Sequence, residues 1–295
     1  MKSNDLDKKP DKRGKGSTVR FRLRRLPILQ LLLLMPIVLF GIFGSFFYTH
    51  DPVVMNPAVS LRPPYLFGGN ISYFLGTDHL GRDIFSKIVA GANASLIAAT
   101  AGVFIAGILG ILLGMVAGYF GGWIDDVIMR IVDTQMSIPV ILLTILISAA
   151  LGGGLFTVTI CIALVFWTQY ARVIRGETLS IREREFVALA RIAGCGPGRM
   201  LIKHILPNLV STCTVVASLQ LGRAIIIEAS ITFLGLGIQP PKTAWGLMMA
   251  EGRIYLSTAW WLPTFAGLAI VMTVLGANMM GDWIRDRMDP KLRQL

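Results

Sequence analysis

IVAGANASLIAATAGVFIAGILGILLGMVAGYFGGWI, residues 88–124, carries no charged side chain. A helix needs about 20 apolar residues to cross the hydrocarbon core of a bilayer, so this run is long enough for one crossing. Outward from it lie two further charge-free runs, 134–171 and 254–281. They are long enough for two crossings and one. A membrane β-barrel would instead alternate polar and apolar residues in segments of about ten. That alternation is missing, and the helix is the other way to satisfy backbone polar groups within lipid. With 54% hydrophobic and only 15% charged residues, the chain is also too apolar for an ordinary soluble domain, where about 25% are charged. The fold class is an all-α membrane protein with six transmembrane helices.

The first crossing lies near the start, after a polar, basic tail at 1–25. It is longer than a signal-peptide core of about 7–15 residues, and no small-residue cleavage pattern precedes Tyr48, Thr49 and His50. It therefore reads as a retained anchor, 26–48, followed by an external loop, 49–90. A five-helix core, 91–281, has spans expected at 92–118, 127–151, 155–174, 209–235 and 258–281. A loop at 175–207 joins the fourth and fifth spans, and a tail, 282–295, ends the chain. Cytoplasmic loops carry the excess of Lys and Arg. Arg172, Arg175, Arg182, Arg184, Arg191, Arg199, Lys203, Arg285, Arg287, Lys291 and Arg293 fall on one side, against Arg62, Arg82, Lys87, Lys242 and Arg253 on the other. Both termini are then cytoplasmic. The net charge of +11 flanks membrane segments and reads as a topology determinant, with no nucleic-acid partner. Trp260, Trp261 and Trp283 suit interfacial anchoring, and Cys161, Cys195 and Cys213 form no disulfide framework.

Candidate functional residues are few. Gly110, Gly114 and Gly118 recur every fourth residue, a helix face that another backbone can approach closely. Arg130 and Asp133 lie one turn apart, so a local pair is available to them. Arg223 and Glu228 lie deeper and about 140° apart around a helix, so they should not pair with each other. Intramembrane charges are functional candidates by default; interhelical hydrogen bonding is the alternative for all four. Asp78, His79 and Asp83 match no standard metal spacing and read as loop scaffolding. Gly14-Lys15-Gly16-Ser17 lacks the spacing of a phosphate-binding loop, and no nucleophile or metalloprotease motif is present. Uphill transport would need an ion gradient, with Glu228 as its coupling residue, or work done by another polypeptide.

The loop EFVALARIAGCGPGRMLIKHILPN, residues 185–208, is the most informative segment. Phe186, Leu189, Ala190 and Ala193 fall at i, i+3, i+4 and i+7, one apolar face of a short helix. Gly194 should end it as a left-handed cap. Such a helix either docks in a groove on a soluble partner or lies on lipid; periodicity leaves both open.

The same loop resembles the coupling motif of inner-membrane components of binding-protein-dependent ABC importers. Ala188, Leu189 and Ala190 stand at its Glu-Ala-Ala triplet, Gly194 at its glycine, and His204 to Pro207 at its end. Ala188 replaces the motif's glutamate and Leu189 its first alanine. Three further blocks, 75–96, 233–246 and 281–290, are similar to the second permease subunit of dipeptide, oligopeptide and nickel systems. In the last of them Asp282, Arg285, Asp286 and Asp289 share a helix face. The resemblance implies a type I importer fold in the plasma (inner) membrane. It implies a homologous permease, two ATPase subunits and an external solute-binding protein as partners, beside membrane lipid. No cofactor is expected on this chain, ATP and Mg being bound by the ATPases, and no enzymatic activity of its own. Glu185, Phe186, Ala188, Leu189, Ala190, Arg191, Gly194, His204 and Pro207 would form the ATPase-coupling loop.

Overall fold

The computed structural model describes residues 27–288. The basic tail at 1–25 lies outside the described residues, as do Asp289, Lys291 and Arg293. Among the described residues the regular structure is helical, apart from a single bridge between Thr77 and Asp83. The long helices are α1 (Ile28–Phe47), α2 (Ile84–Phe120), α5 (Leu155–Arg182), α8 (Leu206–Phe233) and α10 (Trp261–Met288). Each is long and apolar enough to cross a membrane. A bent pair, α3 (Gly122–Met136) and α4 (Val140–Leu151), meeting at 91°, is together long and apolar enough for a sixth. Short helices α6 (Glu185–Ile192) and α7 (Pro197–Arg199) lie at one end of the bundle, and α9 (Trp245–Gly252) at the other.

The continuous span expected at 127–151 is thus corrected to two half-helices. Pro139 has no N–H to give, and its ring disfavours helical backbone at Ile138. The turn closes instead on local bonds, Ser137 N–H donating to the Asp133 carbonyl and Ile138 N–H to that of Gln135. The second and fourth spans also run further than expected, because helical geometry outlasts the apolar stretch. At 37 residues, α2 extends about 55 Å, well beyond a hydrocarbon core of about 30 Å. Its start is fixed by Asp83, whose side chain accepts the Ser86 N–H.

The centre of the bundle is the contact between α2 and α5. A Cβ built on Gly114 would stand 2.6 Å from the Ala171 carbonyl oxygen, and one on Gly118 would stand 2.8 Å from that of Arg175. Gly110 lies as close to Trp167 and Tyr170. Without side chains at these positions the backbones approach, and Ala98, Ala99, Ala106, Ile162, Phe166 and Tyr170 close the core around them. By contrast α1 buries only Ile37, Gly41 and Gly44. It is tied to α2 through Asn93, whose Nδ2 donates to the Gly41 carbonyl at 2.6 Å, and leans on α10 where Gly276 faces Leu34.

Gly114→Leu should therefore destabilise the detergent-solubilised full chain by about 1–3 kcal/mol through overpacking. Gly176→Leu, whose Cβ would meet no atom within 4 Å, should not. Thermal unfolding of the two variants checks this; equal melting temperatures would refute the close-packed face.

Candidate functional site

The α6 loop begins where α5 leaves the bundle. Glu185 stands in the first turn of α6, a favourable place for a carboxylate beside the positive end of the helix dipole. At the other end Gly194 has φ +80°. Its N–H bonds to the Arg191 carbonyl and that of Cys195 to Ala190, the paired bonds of a Schellman cap. After α7 the chain passes through a π-helical turn, Met200–Ile205, into α8. Pro207 sits in the first turn of α8, where its missing N–H breaks the ordinary bonding ladder and a widened turn relieves the ring. His204 is half-buried and Pro207 exposed; the His204 carbonyl accepts from Asn208 Nδ2 at 2.7 Å.

The buried side of α6 differs from the face read off the periodicity. Val187 is fully buried, within a satellite core of Met115, Ile174, Ile181, Met200, Ile205 and Leu209, and Ala190 and Cys195 pack against it. Leu189 and Ile192 are 66% and 84% exposed, Phe186 stands out beside them at 37%, and Ala188, Arg191 and Ala193 are exposed too. The helix thus has two apolar sides, one gripping α5 and α8 and one open.

Two arginines missed by the sequence reading hold this end together. Arg175 grips Asp125 of α3 through two of its nitrogens. Arg182 Nη1 donates to the Gly118 and Tyr119 carbonyls at 3.1 and 3.3 Å, capping α2. With Ala171 and Thr178 they fall at i, i+4, i+7 and i+11 on the stripe of α5 that faces α2. That spacing was readable, but both charges had been assigned to topology alone.

Within the spans the charges sort differently from expectation. Asp133 bonds Arg172 Nη2 at 2.6 Å, not Arg130, which is exposed and pairs with no described carboxylate. Arg223 and Glu228 do not meet. Glu228 is fully buried and accepts from Thr232 Oγ1 at 3.0 Å; Thr232 in turn receives the Ile238 N–H, so this carboxyl organises the turn after α8. Arg223 is exposed and donates to Gln169 Oε1 at 3.3 Å. In α10, Arg285 bonds no described carboxylate, and Arg287 covers the Trp283 ring at 4.6 Å.

At the α9 end Asp78, His79 and Asp83 do not gather as a metal site. Asp83 caps α2 and receives the Thr49 hydroxyl at 2.6 Å. The Asp78 carboxylate bonds Arg82 at 2.7 Å and Lys87 at 2.8 Å, while Glu251 of α9 takes the other side of Lys87 at 2.7 Å. Asp78, His79 and Glu251 do lie close enough to share an ion, but two cations already occupy those carboxylates. Burial pushes the Asp78 carboxyl up; Lys87 and Arg82 outweigh it and hold the group below its ordinary 3.8. Trp261, expected as an interfacial anchor, is 6% exposed and donates to the Thr77 carbonyl at 3.2 Å, so it belongs to this clamp.

The long apolar helices form a membrane bundle, with the short helix α6 slung between two of its spans. Residues 110–294 match the binding-protein-dependent transport system inner membrane component family, and the chain belongs to it. It is similar to the di/tripeptide transport system permease protein DppC of Pseudomonas aeruginosa, 39% identical over 89% of this chain and 87% of that one. It is 34% identical to the oligopeptide transport system permease protein OppC of Bacillus subtilis, over 98% and 93%. To the glutathione transport system permease protein GsiD of Pectobacterium atrosepticum the figures are 42%, 77% and 75%. Two inward-facing structures of the MetNI methionine ABC transporter share the fold. The CY5 native crystal form superposes with a TM-score of 0.58 at 18% identity, covering 70% of this chain and 98% of that one. The SeMet soak form gives 0.57 at 17%, covering 69% and 96%.

Two outcomes follow from the geometry. A side chain at the left-handed Gly194 costs about 1–2 kcal/mol, so Gly194→Leu should fray the end of α6 and speed amide exchange at Cys195. Unchanged exchange would count against the cap. Asp78, with its depressed carboxyl, contributes fully above about pH 3.8 and loses that contribution as pH falls through the native value. Asp78→Asn should cost about 2 kcal/mol at pH 7 and flatten the acid limb of a melting-temperature profile; a parallel profile would contradict the clamp.

Proposed function

We propose that the chain is the second-type permease subunit of an ATP-driven importer whose cargo is a peptide or a related small solute. It would pair with a homologous permease to enclose the pathway and receive cargo from an external binding protein. The α6 end would face the cytoplasm, where the open side of α6, Phe186, Leu189 and Ile192, would dock on an ATPase subunit. The observation that carries this reading is the two-sided α6. An interfacial helix lying on lipid needs only one apolar side, whereas this one is clamped through Val187 to α5 and α8 and still offers a second. Force applied to the open side would pass to both spans. Nucleotide chemistry would then reside on the partner.

The peptide cargo is supported by the relatives, which are named for di- and tripeptide, oligopeptide and glutathione transport. An ion-gradient transporter using Glu228 finds less support, because that carboxyl is enclosed and engaged with Thr232.

Ile192→Asp, at an 84% exposed position, should reduce co-purification of the ATPase subunits about tenfold, a loss typical of an interface anchor, and abolish ATP-dependent uptake. The melting temperature of the chain should hold. Val187→Asp should instead unfold the loop. Uptake that persists in vesicles lacking any ATPase would defeat the proposal.

A further inference from the structure

Four polar side chains form an open stripe across otherwise apolar spans. Gln169 and Arg172 lie one turn apart on α5; Gln169 is half-buried, and Arg172, Val173 and Gly176 beside it are exposed. Gln169 meets Arg223 of α8, and Arg172 meets Asp133 of α3. Arg223 stands ten residues before the end of α8 at Phe233, about 15 Å along the axis. Its partner Gln169 stands 14 residues from the start of α5 at Leu155, about 21 Å along that axis, so the two meet inside the spans and not at their ends. An arginine there faces a bundle interior or a water-filled cavity, not lipid.

The break between α3 and α4 is held against α5 nearer the start of that helix. Gln135 donates to the Leu164 carbonyl and accepts from Trp167 Nε1 at 2.9 Å. This holds the turn against α5 nine residues from its start at Leu155, about 14 Å in. Ser137, Ile138 and Pro139 are all exposed. Non-helical backbone at membrane depth is tolerated only where it is buried in protein or lines water. The open arginine and the open helix break are two features that lipid alone does not accommodate, the first of them on the Gln169–Gly176 side of α5.

The two arginines on that side are not equivalent. Arg172 is neutralised by Asp133 at 2.6 Å. Arg223 has one neutral acceptor, Gln169 Oε1, and among the described residues no carboxylate within ion-pair distance. Its remaining donors are free for an anion.

We infer that this stripe lines the solute path and that Arg223, steadied by Gln169, receives a carboxylate of the passing solute. The inference rests on the peptide-importer reading above, since a free peptide carries a carboxylate at its C-terminus. Arg suits the task because its planar guanidinium can bind a carboxylate through two nitrogens. A wet, transient contact of this kind lets cargo leave as readily as it enters.

The test uses the assembled transporter in vesicles, with tritiated Ala-Ala as probe and Ala-benzoylphenylalanine as its photoreactive counterpart. Arg223→Gln should lower uptake by about tenfold and abolish photolabelling of the α8 segment around residue 223. Arg223→Lys, which keeps the charge but cannot bond through two nitrogens, should restore part of both. Undiminished uptake in Arg223→Gln would overturn the assignment, as would equal loss in the lysine variant. Loss of the second permease from the purified Arg223→Gln complex would also overturn it, and assign the arginine to a subunit contact. If wild-type vesicles take up no Ala-Ala, the peptide reading falls, and this inference with it.

Discussion

Everything at the α6 end depends on how closely α2 and α5 approach. Glycines on α2 remove the side chains that would hold the helices apart, and the carbonyls of Ala171 and Arg175 occupy the space. The approach brings Arg182 within reach of the last carbonyls of α2. Arg175 meets Asp125 as α3 turns back. A wider separation would leave those bonds unmade. In lipid such packing must supply what the hydrophobic effect supplies in water, because hydrocarbon tails are as apolar as the helices themselves.

How much of this was legible depended on which physical signal each element carries. Charge-free length marked the spans, and the glycine period marked the tight contact before any partner was known. Left-handed backbone at Gly194 was readable because glycine adopts it without steric cost. The break at Ile138 was passed over because hydropathy registers only polarity, and Pro139 sits inside an apolar run. Arg175 and Arg182 were misread for the opposite reason: a topology count sums charges without asking which face of the helix they share. Val187 was hidden by its neighbours. Phe186 and Leu189 make the stronger stripe, and only a tertiary neighbour such as Met200 shows that the weaker one is buried.

The polar groups of the spans divide by whether the chain satisfies them itself. Glu228 is enclosed, one oxygen bonded to Thr232 and through it to the next turn, the other with no described partner. Asp133 and Arg172 neutralise each other on an open face. Arg223 is left with a single neutral acceptor. A chain that folded only to sit in lipid would gain nothing from such an arginine, since its donors cost free energy unless something meets them. The Asp133–Arg172 pair is complete in itself, whereas on the inference above the exposed Arg223 leaves its charge for a solute to meet.

Seen mechanically, the open side of α6 and the open stripe share their supports. α6 grips α5 and α8 through Val187; α5 carries Gln169 and Arg172, and α8 carries Arg223. A push on α6 would reach α5 directly and α8 through the π-helical turn that leads into it. One compliant point, the π-helical turn Met200–Ile205, itself packs against Val187, and the other is the bend before α4. Stiff spans joined by such turns respond to force by reorienting, and reorientation of α5 against α8 would change the distance between Gln169 and Arg223 directly. On the proposed function, the contact that meets the solute would then also be one that a partner's work can open and close.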